Sequence, residues 1–426
     1  MVAVVLLRHS ARRRRIRSLT HRSLFTPGWS LQEFAVIHGL ECTAPPTKRA
    51  VWMRERCQDW WDRMVATNFN DNDWRENFRM SRHNFCHLVA AVAPFMSPCE
   101  NYVRTPVPLD KRVAMALYKL ASCDEYGIVA NQFGVHKSTV KKFFYMFCQS
   151  VTTHLAKEYV KLPSANEAKK IAERFEAKCH LPQIFGAIDS THIPIAAPKT
   201  GYRDFVNRKH WASYNVQAVV DDGGLSSYEY PTLYCLTLEF SLCRFMNVSC
   251  RAPGSAHDST ALKMSALYKR SDNLVPHGFS MLRGTAIPFM LVGDPAYPLL
   301  PWIMKGYTGR LSREEESFNV YLSSAQNVVE QAFGRLKGRW RILLKRADIY
   351  YKFMPTVVIA TCALHNFCET HSEGYDASWD QAVTESESVL FPQPSSRPRS
   401  GVRSEIRDLL KDHLAANFPL RRSTLV

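Results

Sequence analysis

The feature that most restricts this chain is a short apolar run closed by an aspartate, residues 287–292 followed by Gly293 and Asp294 in AIPFMLVGDPAYPLLPWIMKGY. Bounded by Gly293 and Pro295, the run is too short for a buried helix and reads as a buried strand that delivers Asp294 to its C-terminal end. The same arrangement occurs upstream, where 183–188 in LPQIFGAIDSTHIPI forms a second strand ending at Asp189. Downstream, Ser323 and Ser324 are placed to cap a helix in which Val328, Val329, Ala332, Phe333, Leu336 and Leu343 recur at helical spacing. Glu330 lies off that stripe, and Gly334, Lys337 and Arg341 follow it at i+4, i+7 and i+11, so one carboxylate shares a helix face with cations.

Two strand-end aspartates and a helical glutamate are the oxygen ligands that hard divalent cations such as Mg²⁺ or Mn²⁺ prefer. Two such ions can bracket a phosphorus, one sharpening a water or hydroxyl as nucleophile and the other stabilising the leaving oxygen, so metal-dependent phosphodiester chemistry is expected. A single acid in such a position is more often solvated or capping. Three in one order, each after a hydrophobic element, carry the reading. Charge agrees with it: 55 Lys and Arg against 39 Asp and Glu leave a net +16, which favours a polyanionic partner through counterion release.

At 426 residues, with 46% hydrophobic residues, the chain should form two or three globular units. Its 12 cysteines include no CxxC pair, which argues against a zinc finger or a disulfide framework and for a reducing compartment. Cys362, His365 and Cys368 in TCALHNFC lie in an apolar run and read as buried helix residues. No apolar run reaches the ~20 residues needed to cross a bilayer, so no membrane partner is expected. The opening 2–7 run precedes the charges and is too short for a secretory signal. Arg12 to Arg15, with Arg8, Arg17 and Arg22, form a basic cluster that reads as a nuclear import signal, a flexible arm on DNA, or a solvated tail.

From about Trp52 to Ser150 the sequence reads as helices with breaks at Pro94, Pro98 and the Pro106 to Pro108 pair. Val113, Leu117 and Leu120 mark one amphipathic helix, and a second, about 126–133, is followed by Gly134 and Val135. A third starts at Lys137 with Val140, Phe143, Phe144 and Phe147 inward, completing a helix-turn-helix pattern. There His136, Lys137, Ser138, Thr139, Lys141 and Lys142 would face the major groove or its phosphates. The plain alternative is a helical hairpin with a solvated lysine face.

Past an amphipathic helix at 166–179 and the strand ending at Asp189, TGYRDFVNRKHWASYN supplies Arg203, Arg208 and Lys209, a loop able to clamp phosphates or, alternatively, a rim packed by Tyr202, Phe205 and Trp211. Strands at 215–220 and 245–250 follow, with Asp221 and Asp222 expected in a turn with Gly223 and Gly224. Asp258, before a helix at 259–268, is either a helix cap or a metal ligand. The Ser- and Pro-rich stretch 371–400 reads as a linker, and Ile406, Leu409, Leu410 and Leu414 mark a last amphipathic helix.

Taken together, GAIDSTHIPI, YRDFVNRKHWASYNVQAVVDD, APGSAHDST, GDPAYPLLPWIMKGY, VVEQAFGRLKGRWRIL and CALHNFC resemble the successive motifs of PIF/Harbinger-type transposases and the harbinger transposase-derived nuclease, from about Trp74 to Glu369. The resemblance implies an α/β fold: an RNase H-like mixed sheet with flanking helices as the DDE nuclease core, after a helical helix-turn-helix region. It implies a divalent-metal-dependent DNA endonuclease with Asp189, Asp294 and Glu330 as catalytic triad, Asp258 as a further metal ligand, and Lys337 and Arg341 among the DNA contacts. It also implies a nuclear protein, present as well in the cytoplasm, working on DNA with a Myb-like partner protein or as a homo-oligomer. The rival readings are a catalytically silent DNA- or chromatin-binding regulator and an RNase H-like enzyme acting on RNA. The expected division is a basic arm at 1–50, a helical region at 51–160, the nuclease domain at 161–370, a linker at 371–400 and a C-terminal helix within 401–426. Residues 225–243 depart from the family pattern, as an insertion or a mis-assigned splice boundary, and are expected to loop out of the sheet edge.

Overall fold

The computed structural model describes residues 55–98, 105–222, 243–388 and 405–422. The basic arm, the Gly223–Gly224 pair, residues 225–242 of the departing segment and the 389–400 part of the expected linker lie outside them.

Seven strands follow in chain order: β1 (Ile184–Pro194), β2 (Ser213–Val220), β3 (Phe245–Pro253), β4 (Phe279–Leu282), β5 (Thr285–Pro288), β6 (Met290–Gly293) and β7 (Ile303–Met304). Five of them form one mixed sheet in the order β3-β2-β1-β6-β7, and β4 and β5 make a separate hairpin. β1 to β3 run antiparallel to their neighbours, whereas β6 pairs parallel with β1 and β7 parallel with β6. The expected 287–292 strand is therefore two strands. Pro288 has no N–H to continue a ladder, so the chain leaves the hairpin there and re-enters at Met290, whose N–H donates to Gln183 O at 2.8 Å. β1 also differs from expectation. It does not stop at Asp189 but runs on to Pro194 against β2 alone.

The sheet separates two cores, because successive residues of a strand face opposite sides. Ala187, Val216, Ala218 and Val220 face one core and Ile188 and Val219 the other; Phe185 joins the second because the register of β1 shifts between Ile184 and Gly186. The first core is shared with the amino-terminal helices: α1 (Asp71–Phe78), α2 (Arg82–Met96), α3 (Leu109–Ser122), α4 (Tyr126–Gln132) and α5 (Lys137–Ser150). Pro94 does not break α2, since it stands one turn from the end and forfeits a single backbone bond. Next come α6 (Ala165–Cys179) and α7 (Asp258–Met264); the helix expected at 259–268 stops at Met264, where Ser265 caps a separate short turn, Ala266–Lys269.

Helix α8 (Arg313–Arg339) ties the two cores together. Its Phe318, Tyr321 and Leu322 lie in one, and its Val329, Phe333 and Leu336 in the other. The helix does not start at Ser323. It starts at Ser312, whose hydroxyl accepts from Glu315 N–H (3.2 Å) while the Glu315 carboxylate accepts from Ser312 N–H (2.9 Å). Ser324 instead turns its hydroxyl to Tyr321 O, a local bond that a mid-helix serine tolerates. Because α8 ends at Arg339, Leu343 and Arg341 fall in a following 3₁₀ turn rather than on the helix with Glu330.

α9 (Met354–Thr370) is buried, and Cys362, His365 and Cys368 are core residues as expected. The expected linker contains α10 (Trp379–Ser388), whose Trp379 is buried beneath the Arg79 guanidinium, 4.7 Å from its ring. α11 (Glu405–Asn417) docks on the second core through Leu410 and Leu414. The turn expected at Asp221 and Asp222 involves Gly223 and Gly224, outside the described residues; both aspartates are buried, Asp221 against Arg244 at 3.0 Å and Asp222 against Arg174 at 2.7 Å. Among the described residues no helix is long and apolar enough to cross a membrane.

The helical region is fastened to the sheet region by buried charge. Lys119, fully buried in α3, bonds Asp348. The Glu373 carboxylate accepts from Ser81 N–H (2.8 Å), Ser81 Oγ (2.7 Å) and Asn84 Nδ2 (2.6 Å) at the start of α2 and from Arg75 Nε (3.0 Å) of α1. Burial alone would raise its pKa, but the bonds from Ser81, Asn84 and Arg75 outweigh burial and hold it below the usual carboxylate value. Glu373→Gln should therefore cost about 2–4 kcal/mol at pH 7. A folded pKa below the unfolded one stabilises above the unfolded value and is lost on acidification, so in thermal melts the gap between parent and variant should close as pH falls from about 5 to about 3.

Candidate active site

The parallel pairing of β1 with β6 ends at Ile188 opposite Gly293. The next residue of β1, Asp189, and Asp294, which follows β6, therefore stand side by side where the two strands part. Asp294 turns away from the sheet in a tight bend, its Oδ1 accepting from Ala296 N–H at 3.1 Å while its carbonyl accepts from Tyr297 N–H at 3.1 Å. Pro295 fits inside that bend because no bond is asked of its nitrogen.

Asp258 is the first residue of α7, and the preceding His257 occupies the cap position. Its Oδ1 does not cap the helix. That oxygen accepts from Ser190 Oγ of β1 and from Asn215 Nδ2 of β2 (3.0 Å), so the carboxylate is turned towards the sheet beside Asp189. Burial, then the charges of Asp294, Asp258 and Glu330, push the Asp189 carboxyl up to about 8. Burial and Asp258 push Asp294 up to about 6. The Tyr297 phenol, fully buried, is driven well above its ordinary value by burial and by the same three aspartates.

Asp189, Asp258 and Asp294 are thus gathered around one place, with Glu330 exposed on α8 within electrostatic range of Asp189. Among the described residues no three His, Cys, Asp or Glu groups stand at coordination spacing around one point. The donor set nevertheless fits a hard cation in kind: it is all oxygen, and its acids resist ionising together until a positive charge joins them.

A basic rim borders the acids. His192, next but two along β1 from Asp189, is pushed down to about 4, chiefly by burial; Asp258 opposes the shift, and Lys209, Lys337 and Arg208 reinforce it. Those three cations of the expected set therefore converge near His192. Arg208 also bonds His257. Arg203 is exposed on the short turn Tyr202–Phe205. Arg341 stands with Lys345 and Arg346 along a groove of about 1010 Å³, opposite Tyr202, His210 and Trp211. Sequence reasoning missed Lys345 and Arg346, and also Asn215, His192 and Tyr297. The available signal was polar residues at alternate positions of a strand, SYNVQAVV, that is buried along its whole length.

Further from the acids, α4 and α5 are joined by a four-residue turn in which Gly134 takes φ +61. An added Cβ there would stand 2.4 Å from Cys57 O, so glycine is required on two counts. His136, Lys137, Ser138, Lys141 and Lys142 are exposed and Thr139 is half-buried. His136 and Ser138 have a local task as well: the His136 ring accepts from Ser138 N–H at 3.2 Å and caps α5. Val140, Phe143, Phe144 and Phe147 are buried, as the helical spacing predicts.

Residues 188–366 match the family described as DDE superfamily endonuclease, a span that takes in all four acids. The chain is 29% identical over 379 residues to Protein ALP1-like of Arabidopsis thaliana, covering 84% of this chain and 86% of that one. It is 29% identical to Antagonist of Like Heterochromatin Protein 1 of the same plant, covering 72% and 77%. Over 54% of this chain and 58% of the other, it is 26% identical to human HARBI1, whose name proposes a nuclease. No solved structure matches. The family match across all four acids gives the chain a DDE superfamily endonuclease domain at 188–366, and over most of its length the chain is similar to the two plant proteins.

Proposed function

We propose that the protein is a divalent-metal-dependent endonuclease acting on DNA, with an RNase H-like core, Asp189, Asp294 and Glu330 as its carboxylate triad and Asp258 as a further ligand. The observation that supports this best is the side-by-side exit of Asp189 and Asp294 from the parallel β1–β6 pair, with both carboxyls pushed upward by burial and by one another's neighbours. The strand order β3-β2-β1-β6-β7, with an acid on β1, a second after β6 and a third on the next long helix, is the arrangement an RNase H-like core would have. Bound Mg²⁺ or Mn²⁺ would supply charge neutralisation and Lewis-acid polarisation at the scissile phosphate.

The chain's own groups supply the rest. Ser190 and Asn215 occupy Asp258 Oδ1, which fixes the carboxylate plane and leaves Oδ2 for a cation. Arg208, Lys209 and Lys337 hold the phosphate backbone against the acids, positioning it without reading sequence. The α4–α5 pair, as a helix-turn-helix, holds duplex through Lys137, Lys141 and Lys142. A second reading, a DNA- or chromatin-binding regulator without turnover, is favoured by one observation: among the described residues the acids do not stand at coordination spacing around one point. The name of the second plant relative points the same way.

Nicking of supercoiled plasmid by the full chain with Mg²⁺ or Mn²⁺ separates the two readings. Glu330→Gln should abolish it, by about 10³-fold or more if the group acts on the transition state. Nicking that survives this change in a contaminant-free preparation would remove Glu330 from the site, and absence of nicking with DNA binding intact would favour the regulator.

The metal-free protein should carry the electrostatic cost of its acids. Asp189 binds its proton more tightly folded, at about 8, than unfolded, so stability falls as pH rises between about 4 and 8. In EDTA, Asp189→Asn should therefore melt higher than the parent at about pH 8 and level with it near pH 4. Millimolar Mg²⁺ should raise the parent and not the variant.

For the helix-turn-helix, Lys137→Ala with Lys141→Ala should weaken duplex binding in filter or anisotropy assays. The slope of log affinity against log salt should fall by about 2, since each phosphate that a lysine neutralises adds about 0.9 to it. An unchanged slope would return α5 to the role of a solvated helix.

A further inference from the structure

Remote from the carboxylates in sequence, three histidines meet where α2 begins and α9 ends. His83 and His87 stand one turn apart on the exposed face of α2, with ring centroids 4.3 Å apart. His371, which closes α9, brings its ring to 5.7 Å from that of His87. Its Nδ1–H donates to Phe367 O at 2.8 Å, and its ring lies 4.1 Å from the Phe367 ring.

That bond places the proton on Nδ1 and leaves the Nε2 lone pair for an outside partner, which is how a metal-ligating imidazole is held by a backbone carbonyl. Cys86, an exposed free thiol, falls on the same arc of α2, three residues after His83. The two elements are already locked together, because Asn84 Nδ2 donates to His371 O at 3.5 Å and both Ser81 and Asn84 bond Glu373.

We infer that His83, His87 and His371, with Cys86 beside them, form a binding site for a borderline transition-metal ion of the Zn²⁺ class that staples α2 to the C-terminal end of α9. Imidazole nitrogens and a thiolate select Zn²⁺, Ni²⁺ or Cu²⁺ over the hard cations that carboxylates take, so the site is chemically separate from Asp189, Asp258 and Asp294. The three imidazoles do not yet enclose one point. The His83–His87 pair supplies the chelate, and rotation of these two exposed side chains towards the held Nε2 of His371 completes it. An ion held this way binds the folded chain and not the unfolded one, so it adds stability in proportion to its occupancy.

The test titrates Zn²⁺ into full-length, EDTA-stripped protein against a chromophoric chelator, in an Asp189→Asn background with millimolar Mg²⁺ present so that the carboxylates do not compete. One Zn²⁺ per chain is expected, weakened in His87→Gln and in His371→Gln by at least about tenfold, the loss that even an outer-shell partner commonly causes. Zn²⁺ should raise the melting temperature of the parent and not of His87→Gln. His87→Cys, which offers another zinc ligand, should restore binding. Zn²⁺ affinity untouched by the histidine changes, or absent from the parent, overturns the site. His87 is exposed and His371 half-buried, and melting temperatures without metal that match the parent's establish that the variants are folded.

Discussion

The arrangement depends on one constraint: acids of like charge are held together by a backbone pairing strong enough to keep them there. The parallel register that puts Ile188 opposite Gly293 is set by apolar side chains, Ile184, Ile188, Met290, Leu291 and Val292, all buried. Burying those costs nothing in charge, and once they are in register Asp189 and Asp294 have no freedom to separate. Their raised pKa values, about 8 and about 6, come first from burial and then from neighbouring acids: Asp294, Asp258 and Glu330 for Asp189, and Asp258 for Asp294. A site that stores repulsion in this way is ready for a cation, since the ion relieves what the fold imposes.

The second support is the division of labour along α8. A single helix of 27 residues carries apolar side chains into both cores, so its position is fixed at two places on either side of Glu330. Downstream the same helix ends in Arg339, fully buried, whose Nη1 donates to Arg79 O at 3.1 Å and whose guanidinium lies 3.7 Å from Glu369. Buried ion pairs of this kind add little net stability but are costly to break singly, which fixes the register of the helix against its neighbours. With Glu373 fastened to the start of α2, the charges that define the helical region and those that define the sheet region belong to one connected network.

Much of this is legible in the sequence, and what is not has physical reasons. The β6 strand ahead of Asp294, the α6, α9 and α11 helices and the inward aromatics of α5 follow from hydrophobic period; the continuation of β1 past Asp189 to Pro194 does not, because that stretch is held by pairing with β2. The start of α8 is easily misplaced because two adjacent serines look like a cap, whereas the reciprocal Ser312–Glu315 pair, well upstream of them, makes two bonds instead of one. The split of 287–292 turns on a single proline within an otherwise uniform apolar run. Asp221 and Asp222 look like a turn beside two glycines; their burial depends on Arg244 and Arg174, one in a distant strand approach and one on α6, which local pattern cannot foresee. Asn215 and Tyr297 are invisible for the same reason: their importance lies in what the fold places next to them.

Asp258 shows where local and tertiary demands part. An aspartate in the first turn of a helix would ordinarily serve that helix, and the favourable interaction with the helix dipole remains available to it. Here the preceding His257 takes the cap position, and two donors from separate strands compete for the Asp258 oxygen and win. Two donors on one oxygen rotate the carboxylate towards the sheet and fix it more firmly than a cap bond would. Asp189, Asp258 and Asp294 are thereby rigid, each set by strand register or by paired donors. Of the four acids Glu330 alone is exposed, on a helix anchored in both cores, so its side chain is the one that solvent reaches most freely.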